Sequence, residues 1–305
     1  MKANTHRLRA AATAVALFFH ADWSYYQPVV DKSYDRPWGT FRVNDGTFVD
    51  PHFAANFAQM VALCKRRWLG LRKGRVQGFT IYSVYEPGID SIGVAMNAVH
   101  AALAKLTPRL RKLALRKITL MFDIESWGGR ITGNHSPEIT NQLNKAAGWL
   151  SHVRVIAYAN SPDFSALFPD RPSWVRVYVA RYSDTGPEGF PNLLGWQFGD
   201  GDSRYPVPNG YPRGTAPFGN CDMNVVGMSP EAFAKLLGVG PRAKPAPHPD
   251  PQPQPKPTTD FGPYVERMVD AAHHALKNHP NEKGPLNQTL HDFLNSVAAL
   301  KSGGK

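Results

Sequence analysis

The ten residues from Lys117 to Ser126 constrain the fold of this chain more than any other stretch. They begin as an apolar, partly β-branched run of strand length and end in two carboxylates, Asp123 and Glu125. A strand that is apolar on both faces is typical of a buried parallel sheet. Side chains two residues apart on a strand point to the same side. We therefore expect both acids to project from the end of one buried strand towards one site.

Strand-like and helix-like segments alternate through the first half of the chain. Strands are predicted over residues 18–24, 41–46, 77–85, 117–126, 153–158, 174–182, 193–198 and 222–226. Helices are predicted from residue 50 to about 68, over 92–106 and over 136–150. The alternation up to Tyr158 predicts parallel βα units, and beyond it the strands follow too closely for full helices between them. The pattern therefore predicts an α/β barrel that lacks its later helices.

The composition changes after Gly238. Residues 241–257 are dense in proline and should form an extended spacer. Apolar stripes at helical spacing return after Phe261 and predict two short helices. We therefore predict a barrel domain over residues 1–238, a Pro-rich linker over 239–260, and a small α-helical segment over 261–305 that packs on a partner or on a second copy of the chain.

The N-terminus has some features of a secretion signal. Residues 1–9 are basic and residues 10–19 are largely apolar. The apolar run nevertheless continues directly into His20-Ala-Asp-Trp23 without a small-residue cleavage site, and cleavage there would remove a predicted strand. We expect a first barrel strand rather than a signal peptide. No run reaches the roughly 20 apolar residues of a membrane span.

The formal net charge of +11 favours an anionic partner. Nucleic acid, an anionic membrane surface and a bacterial wall polymer all fit this charge. No zinc-finger spacing, helix-turn-helix pattern or aromatic RNA-binding signature accompanies it, which argues against nucleic acid. The two cysteines, Cys64 and Cys221, argue against a disulfide framework. His273 and His274 have no matching Cys or acid cluster, so we expect neither a metal nor a cofactor.

Four acids fall at predicted strand ends: Asp22, Asp123, Glu125 and Asp222. Aromatic side chains accompany them at Trp23, Tyr82, Tyr85, Tyr158, Tyr182 and Trp196. Carboxylates among aromatic rings suit a carbohydrate site, because two acids can protonate a leaving oxygen and stabilise an oxocarbenium-like transition state. Acids crowded together also hold one proton to higher pH, which creates a donor. The pattern favours a glycosidase; the alternative is a set of solvated acids at strand ends.

Seven segments, taken in order and spacing over about residues 15–237, resemble glycoside hydrolase family 25, the Chalaropsis-type lysozymes common among phage endolysins. They are Asp22-Trp-Ser-Tyr-Tyr-Gln27, Thr47 to Asn56, Phe122-Asp-Ile-Glu125, Tyr158-Ala-Asn160, Tyr178 to Tyr182, Trp196-Gln197 and Asp222-Met-Asn224. The resemblance implies a flattened TIM-like barrel with five βα units and three further strands. It also implies hydrolysis of the β-1,4 bond from N-acetylmuramic acid to N-acetylglucosamine in peptidoglycan.

By the same resemblance, Glu125 matches the general acid/base and Asp123 matches the acid beside it. Asp22 and Asp222 match the acids of the first and last strands in the cleft. The predicted substrate-binding residues are Gln27, Tyr82, Tyr85, Tyr158, Arg181, Trp196 and Asn224. The expected partner is bacterial peptidoglycan, which the C-terminal helices would also bind if they serve in wall attachment. The resemblance further implies a phage lysin that is made in the host cytoplasm and reaches the wall through a holin. Either an aspartate or the substrate's own N-acetyl group could attack the anomeric carbon.

Three departures from the family pattern leave other functions open. The third strand carries Tyr82-Ser-Val-Tyr85 where Tyr-His-Phe is usual, and the second carries Val43-Asn-Asp-Gly46 where Arg/Lys-x-Ser/Thr-Glu-Gly is common. The stretch over residues 200–214 is long. A catalytically inactive wall-binding barrel and a hydrolase of another glycan are the alternatives.

Overall fold

A computed structural model describes residues 17–65, 76–183, 185–201 and 206–239, together with six single residues further on (269, 273, 291, 292, 294 and 295). The chain separates into two compact units, Met1–Arg242 and Ala243–Lys305. The predicted linker, nearly all of the predicted C-terminal helices and most of the apolar N-terminal run lie outside the described residues.

Eight strands close into a barrel, as predicted, and a ninth, short strand pairs with one of them. Going round the barrel, the order is β1-β2-β4-β5-β6-β7-β8-β11, and β11 pairs with β1 to complete the ring. The barrel strands are β1 (Phe18–Trp23), β2 (Thr40–Asp45), β4 (Phe79–Val84), β5 (Ile118–Asp123), β6 (Val155–Asn160), β7 (Arg176–Ala180), β8 (Leu193–Asp200) and β11 (Asp222–Val226). The short strands are β3 (Phe48–Val49), which pairs with β2, and β9 (Gly214–Thr215) with β10 (Gly219–Asn220).

All neighbouring barrel strands are parallel except around β11, which runs antiparallel to both β8 and β1. The first residue of β11 therefore lies at the same mouth of the barrel as the last residues of the other seven strands. That mouth is where α/β barrels carry their functional residues.

Six helices are described: α1 (Phe53–Cys64), α2 (Ser91–Ala104), α3 (Pro108–Lys117), α4 (Ser136–Leu150), α5 (Ser161–Leu167) and α6 (Pro230–Leu236). The five βα units begin with β1, β2, β4, β5 and β6, and the first of them carries a loop in place of a helix. Strands β7, β8 and β11 follow, so the predicted count is confirmed. Among the described residues, no helix is long and apolar enough to span a membrane.

Three helices correct the sequence-based expectation. Pro108, interpreted as the end of a helix, begins α3: Thr107 Oγ1 accepts a hydrogen bond from the Leu110 amide, and proline fits the first helical turn. Helix α5 follows β6, where we expected no full helix, and has only seven residues. Helix α6 follows the last strand and was also not predicted.

The interior of the barrel is closed at the end opposite the mouth by α6. Phe233 is fully buried, and its ring lies 5.4 Å from that of Phe18 and 4.8 Å from that of Trp38. Both contacts have the edge-to-face geometry that aromatic pairs favour. A second, larger apolar cluster fills the space between the strands and the surrounding helices. Access to the barrel interior is therefore from the mouth.

Replacing Phe233, the buried ring with which α6 closes the barrel, should destabilise the whole barrel. Phe233→Ala is expected to lower the free energy of unfolding by about 3–5 kcal/mol, because a buried ring is lost and a cavity remains. Leu236→Ala on the same helix, where the side chain is 39% exposed, should change it by less than about 0.5 kcal/mol. Denaturant unfolding of both variants measures the difference, and similar values would mean that α6 does not close the barrel.

Candidate active site

The strand register brings all four predicted acids to the barrel mouth. Asp22 at the end of β1 lies directly opposite Asp222 at the start of β11. In an antiparallel pair, residues directly opposite each other project from the same face. Asp123 ends β5, and Glu125 follows two residues later on the same side. Electrostatic interactions join the groups: Asp222 and Glu125 act on Asp22, and Glu125 and Asp22 act on Asp123.

Backbone contacts hold the segment that carries Glu125. The amide of Ile124 donates to the carbonyl of Tyr158 at 2.8 Å, which continues the parallel pairing one residue beyond β5. The amide of Ser126 donates to Asp163 Oδ2 at 3.0 Å. The chain then turns away through Gly128 and its neighbours, with Gly128 at φ +70°, a conformation that glycine adopts readily. Glu125 is therefore fixed between two anchored amides.

Burial raises the pKa values of the acids, each with help from neighbouring carboxylates. Asp22 and Asp123 are 7% and 6% exposed, and desolvation holds the pKa of each well above its usual range. The pKa of Glu125 rises to about 7 through desolvation and then through the nearby charges of Asp163 and Asp222. The pKa of Asp222 also rises to about 7, chiefly through desolvation. Near neutral pH this group of acids therefore retains protons.

Arg42 supplies a positive charge beneath these acids. It is 7% exposed, and its Nε lies 3.3 Å from Oδ2 of Asp50, which holds it in place. The guanidinium lowers the pKa values of Asp22 and Asp123, against the stronger effect of burial. Sequence reasoning missed Arg42. The available signal was its alternation with the apolar Phe41 and Val43, which pack in the outer cluster and leave Arg42 on the opposite face of the strand.

Aromatic and amide side chains line the wall beside the acids. Tyr158 donates a hydrogen bond to Gln197 Oε1, and a hydrogen bond from Gln197 in turn lowers the pKa of Asp222. Tyr82 is close enough to Asp22 and Asp123 for their charges to raise the pKa of its phenol. The structure thus brings Tyr82 and Tyr158 to the acid cluster.

The buried polar atoms that have no hydrogen-bond partner among the described residues include Asp123 Oδ1 and Asn224 Nδ2. An unsatisfied buried polar group costs about 1–3 kcal/mol, so such atoms are suited to binding a ligand. One can accept and the other can donate. No group of three or more described His, Cys, Asp or Glu residues could hold a metal ion.

For four other predicted substrate-binding residues, the structure shows contacts with groups other than the four acids. Gln27 Oε1 accepts from the Ser24 amide at 3.0 Å and closes a turn. Tyr85 is fully buried outside the barrel wall, with its hydroxyl 2.8 Å from Glu138 Oε2. Trp196 pairs with Val179 and Val225, and its side chain packs in the outer apolar cluster. Arg181 lies in an exposed loop beside Thr185.

Three acids that sequence reasoning did not single out also act on the cluster. The charge of Asp45 raises the pKa of Asp123, Asp163 raises that of Glu125, and Asp200 raises that of Asp222. Asp45 and Asp200 are the last residues of β2 and β8, so their strand-end positions were the available signal. Asp163 gave no such signal, because its contact is with Ser126, 37 positions away.

Neutralising Asp163 should lower the pKa of Glu125. In Asp163→Asn the carboxamide oxygen can still accept from the Ser126 amide, but the negative charge near Glu125 is gone. We expect a decrease of up to about one pKa unit from 7, because a like charge within a few ångströms disfavours ionisation. NMR titration of the Glu125 side-chain carbon measures it. An unchanged value, with the fold intact, would show that the two carboxylates do not interact.

Comparison with known proteins gives one sequence relative. The chain is 33% identical over 223 residues to the uncharacterized protein Rv3766 of Mycobacterium tuberculosis (strain ATCC 25618 / H37Rv), covering 72% of this chain and 73% of the relative. No protein-family model matches the chain.

Solved structures with a similar fold share less sequence identity with this chain than the mycobacterial relative does. A family 25 glycosyl hydrolase from Bacillus anthracis matches with a TM-score of 0.48 and 14% identity, over 72% of this chain and 92% of its own. The catalytic domain of endolysin ply40 from bacteriophage P40 of Listeria monocytogenes matches with a TM-score of 0.45 and 21% identity, over 73% and 98%. Sequence identities and TM-scores this low do not assign a function to this chain. Its function therefore has to be argued from its own residues.

Proposed function

This chain belongs to the same protein family as the uncharacterized mycobacterial protein Rv3766, and from its site we propose that it is a glycoside hydrolase that cleaves the glycan of bacterial peptidoglycan. Glu125 acts as the general acid and base of this reaction. The acids beside it stabilise the positive charge that develops on the sugar.

The observation that carries the proposal is the contrast between Glu125 and its neighbours. Glu125 is partly exposed at the mouth with a pKa of about 7, so near neutral pH a large fraction carries a proton that it can donate to a glycosidic oxygen. Asp22 and Asp123 are more deeply buried, and burial raises the pKa of each well above its usual range although the charge of Arg42 opposes that rise. Two carboxyl groups in different environments are the arrangement that glycosidases use for a donor and a stabilising anion.

In the proposed reaction, Glu125 protonates the leaving oxygen, and the ionised fraction of the neighbouring carboxyl groups, such as Asp222 with its pKa of about 7, offsets the positive charge of the oxocarbenium-like transition state. Glu125 then removes a proton from the incoming water. The Asp123 carboxyl group either accepts a hydrogen bond from the N–H of the substrate's acetamido group or attacks the anomeric carbon. Both routes use the same donor and consume one water for each bond cleaved.

The bond we propose is the β-1,4 linkage from N-acetylmuramic acid to N-acetylglucosamine. Its support is the motif resemblance over residues 22–224 and the unpartnered polar atoms, Asp123 Oδ1 and Asn224 Nδ2, that an acetamido group could satisfy. The net charge of +11 also fits an anionic wall polymer as the surrounding surface.

Digestion of purified peptidoglycan tests the proposal. Wild-type protein should release soluble glycan fragments from insoluble walls, and so should Asp90→Asn, because Asp90 caps α2 outside the barrel and asparagine caps helices equally well. Sedimentation of the protein with walls, without release of fragments, would favour the inactive wall-binding barrel instead.

A further inference from the structure

An apolar patch lies at the barrel mouth beside the acids. We call it the aromatic rim; it consists of Tyr25, Tyr26, Phe48 and Val49. Tyr26 is 75% exposed, Phe48 51% and Val49 43%, although large apolar side chains are normally covered. The rings of Tyr25 and Tyr26 are 4.2 Å apart between centroids, and those of Tyr25 and Phe48 are 5.8 Å apart. The three rings therefore form one continuous surface.

The rim is held in place from beneath by Asp50. One oxygen of this buried carboxylate, Oδ2, accepts a hydrogen bond from the Tyr25 amide at 2.9 Å and from Arg42 Nε. Phe48 and Val49 form strand β3, which pairs with the end of β2. The rings are thus carried by ordered backbone, so a ligand that binds them would not have to order a loop first.

Arg42 connects the rim to the acids. Its guanidinium carbon lies 4.9 Å from the centre of the Tyr25 ring and 5.7 Å from that of Tyr26, within the range of cation–π contacts. The same guanidinium interacts with Asp22 and Asp123. The rim therefore borders the proposed cleavage site and continues it along the mouth.

We propose that the aromatic rim is an accessory subsite that binds one sugar ring of the glycan strand, beyond the sugars at the cleaved bond. A pyranose presents an apolar C–H face, which can stack on Tyr26 and Phe48, and a polar edge, which can reach the tyrosine hydroxyls. The patch is small, lies at the end of a polar cleft and has a cation behind it, which suits a sugar better than a lipid chain. The identity of the glycan rests on the proposed function.

Equilibrium binding separates this inference from the hydrolytic activity. All proteins carry Glu125→Gln to prevent turnover, and the probe is a soluble, peptide-free peptidoglycan hexasaccharide measured by calorimetry. Tyr26→Ala with Phe48→Ala should raise the dissociation constant about 3–10-fold, the size expected for losing aromatic contacts. Tyr26→Phe keeps the stacking ring and loses only the hydroxyl, so it should lose less affinity than the double variant. Leu115→Ala removes another exposed apolar side chain, on α3, and should change nothing.

Each outcome is decisive for the subsite. Loss of affinity in the double variant, with Leu115→Ala and the melting temperature unchanged, supports the subsite even if wild-type protein proves unable to hydrolyse walls. An unchanged dissociation constant in the double variant overturns the subsite even if hydrolysis is confirmed. Absence of hexasaccharide binding by the parent protein overturns it as well.

Discussion

Glu125→Gln is expected to lower the rate of glycan hydrolysis by about 10²–10⁴-fold while the barrel stays folded. Glutamine has almost the same shape but carries no acidic proton, so the leaving oxygen departs without protonation. The group is suited to this role because its pKa is about 7 and two anchored amides, those of Ile124 and Ser126, flank it. Initial rates on soluble glycan fragments, with thermal unfolding measured in parallel, give the result.

Asp90→Asn is the matched control for Glu125→Gln. Asp90 is also an acid, but it lies at the start of α2 and pairs with Lys145 on an exposed surface. Its neutralisation should leave the rate within about twofold of wild type. Equal losses in the two variants would mean that the rate responds to overall charge rather than to a donor at residue 125.

Asp222→Asn is expected to reduce turnover by about 10²-fold and, at the same time, to stabilise the protein above neutral pH. The first effect follows from removing negative charge opposite Asp22, where positive charge develops on the sugar. The second follows from the pKa of Asp222, which is about 7 in the folded protein and near 3.8 otherwise. Above neutral pH a buried charge among other carboxylates is replaced by a neutral amide.

The direction of the stability change follows from proton linkage. Because the folded pKa is raised, the folded state binds the proton more tightly, and this contribution to stability is complete only below about pH 4. It is lost as the pH rises to about 7. Asp222→Asn removes that loss, so at pH 8 the variant should be more stable by about 2 kcal/mol. Urea unfolding at pH 4 and pH 8 measures it; equal pH dependence in both proteins would contradict the assigned pKa.

The eight barrel strands could be predicted because each is a segment of strand length that is rich in apolar, aromatic or β-branched residues. The closure of the barrel followed from alternation of these runs with helical segments. Helices α5 and α6 were missed because seven residues show too little periodicity to separate them from loops. The role of Pro108 was predicted wrongly because proline can end one helix and can equally occupy the first turn of the next.

Within the site, the sequence could place acids at strand ends but could not decide which face each neighbouring side chain takes. Trp196 and Gln197 are adjacent, and only the pairing with β7 puts Gln197 inside and Trp196 outside. The shift in register between Val177 and Tyr178 changes which side chains face the barrel interior, and no local sequence pattern predicts this shift. Long-range contacts such as Ser126 with Asp163 are likewise absent from any local pattern.

The most direct test of the central claim is the identity of the sugar at the new reducing end. Purified peptidoglycan is digested with wild-type protein and with Glu125→Gln, the products are reduced with borohydride, and the reduced sugars are identified by mass spectrometry. The account predicts reduced N-acetylmuramic acid in the wild-type digest and almost none with Glu125→Gln. Reduced N-acetylglucosamine alone, or equal product from both proteins, would contradict it.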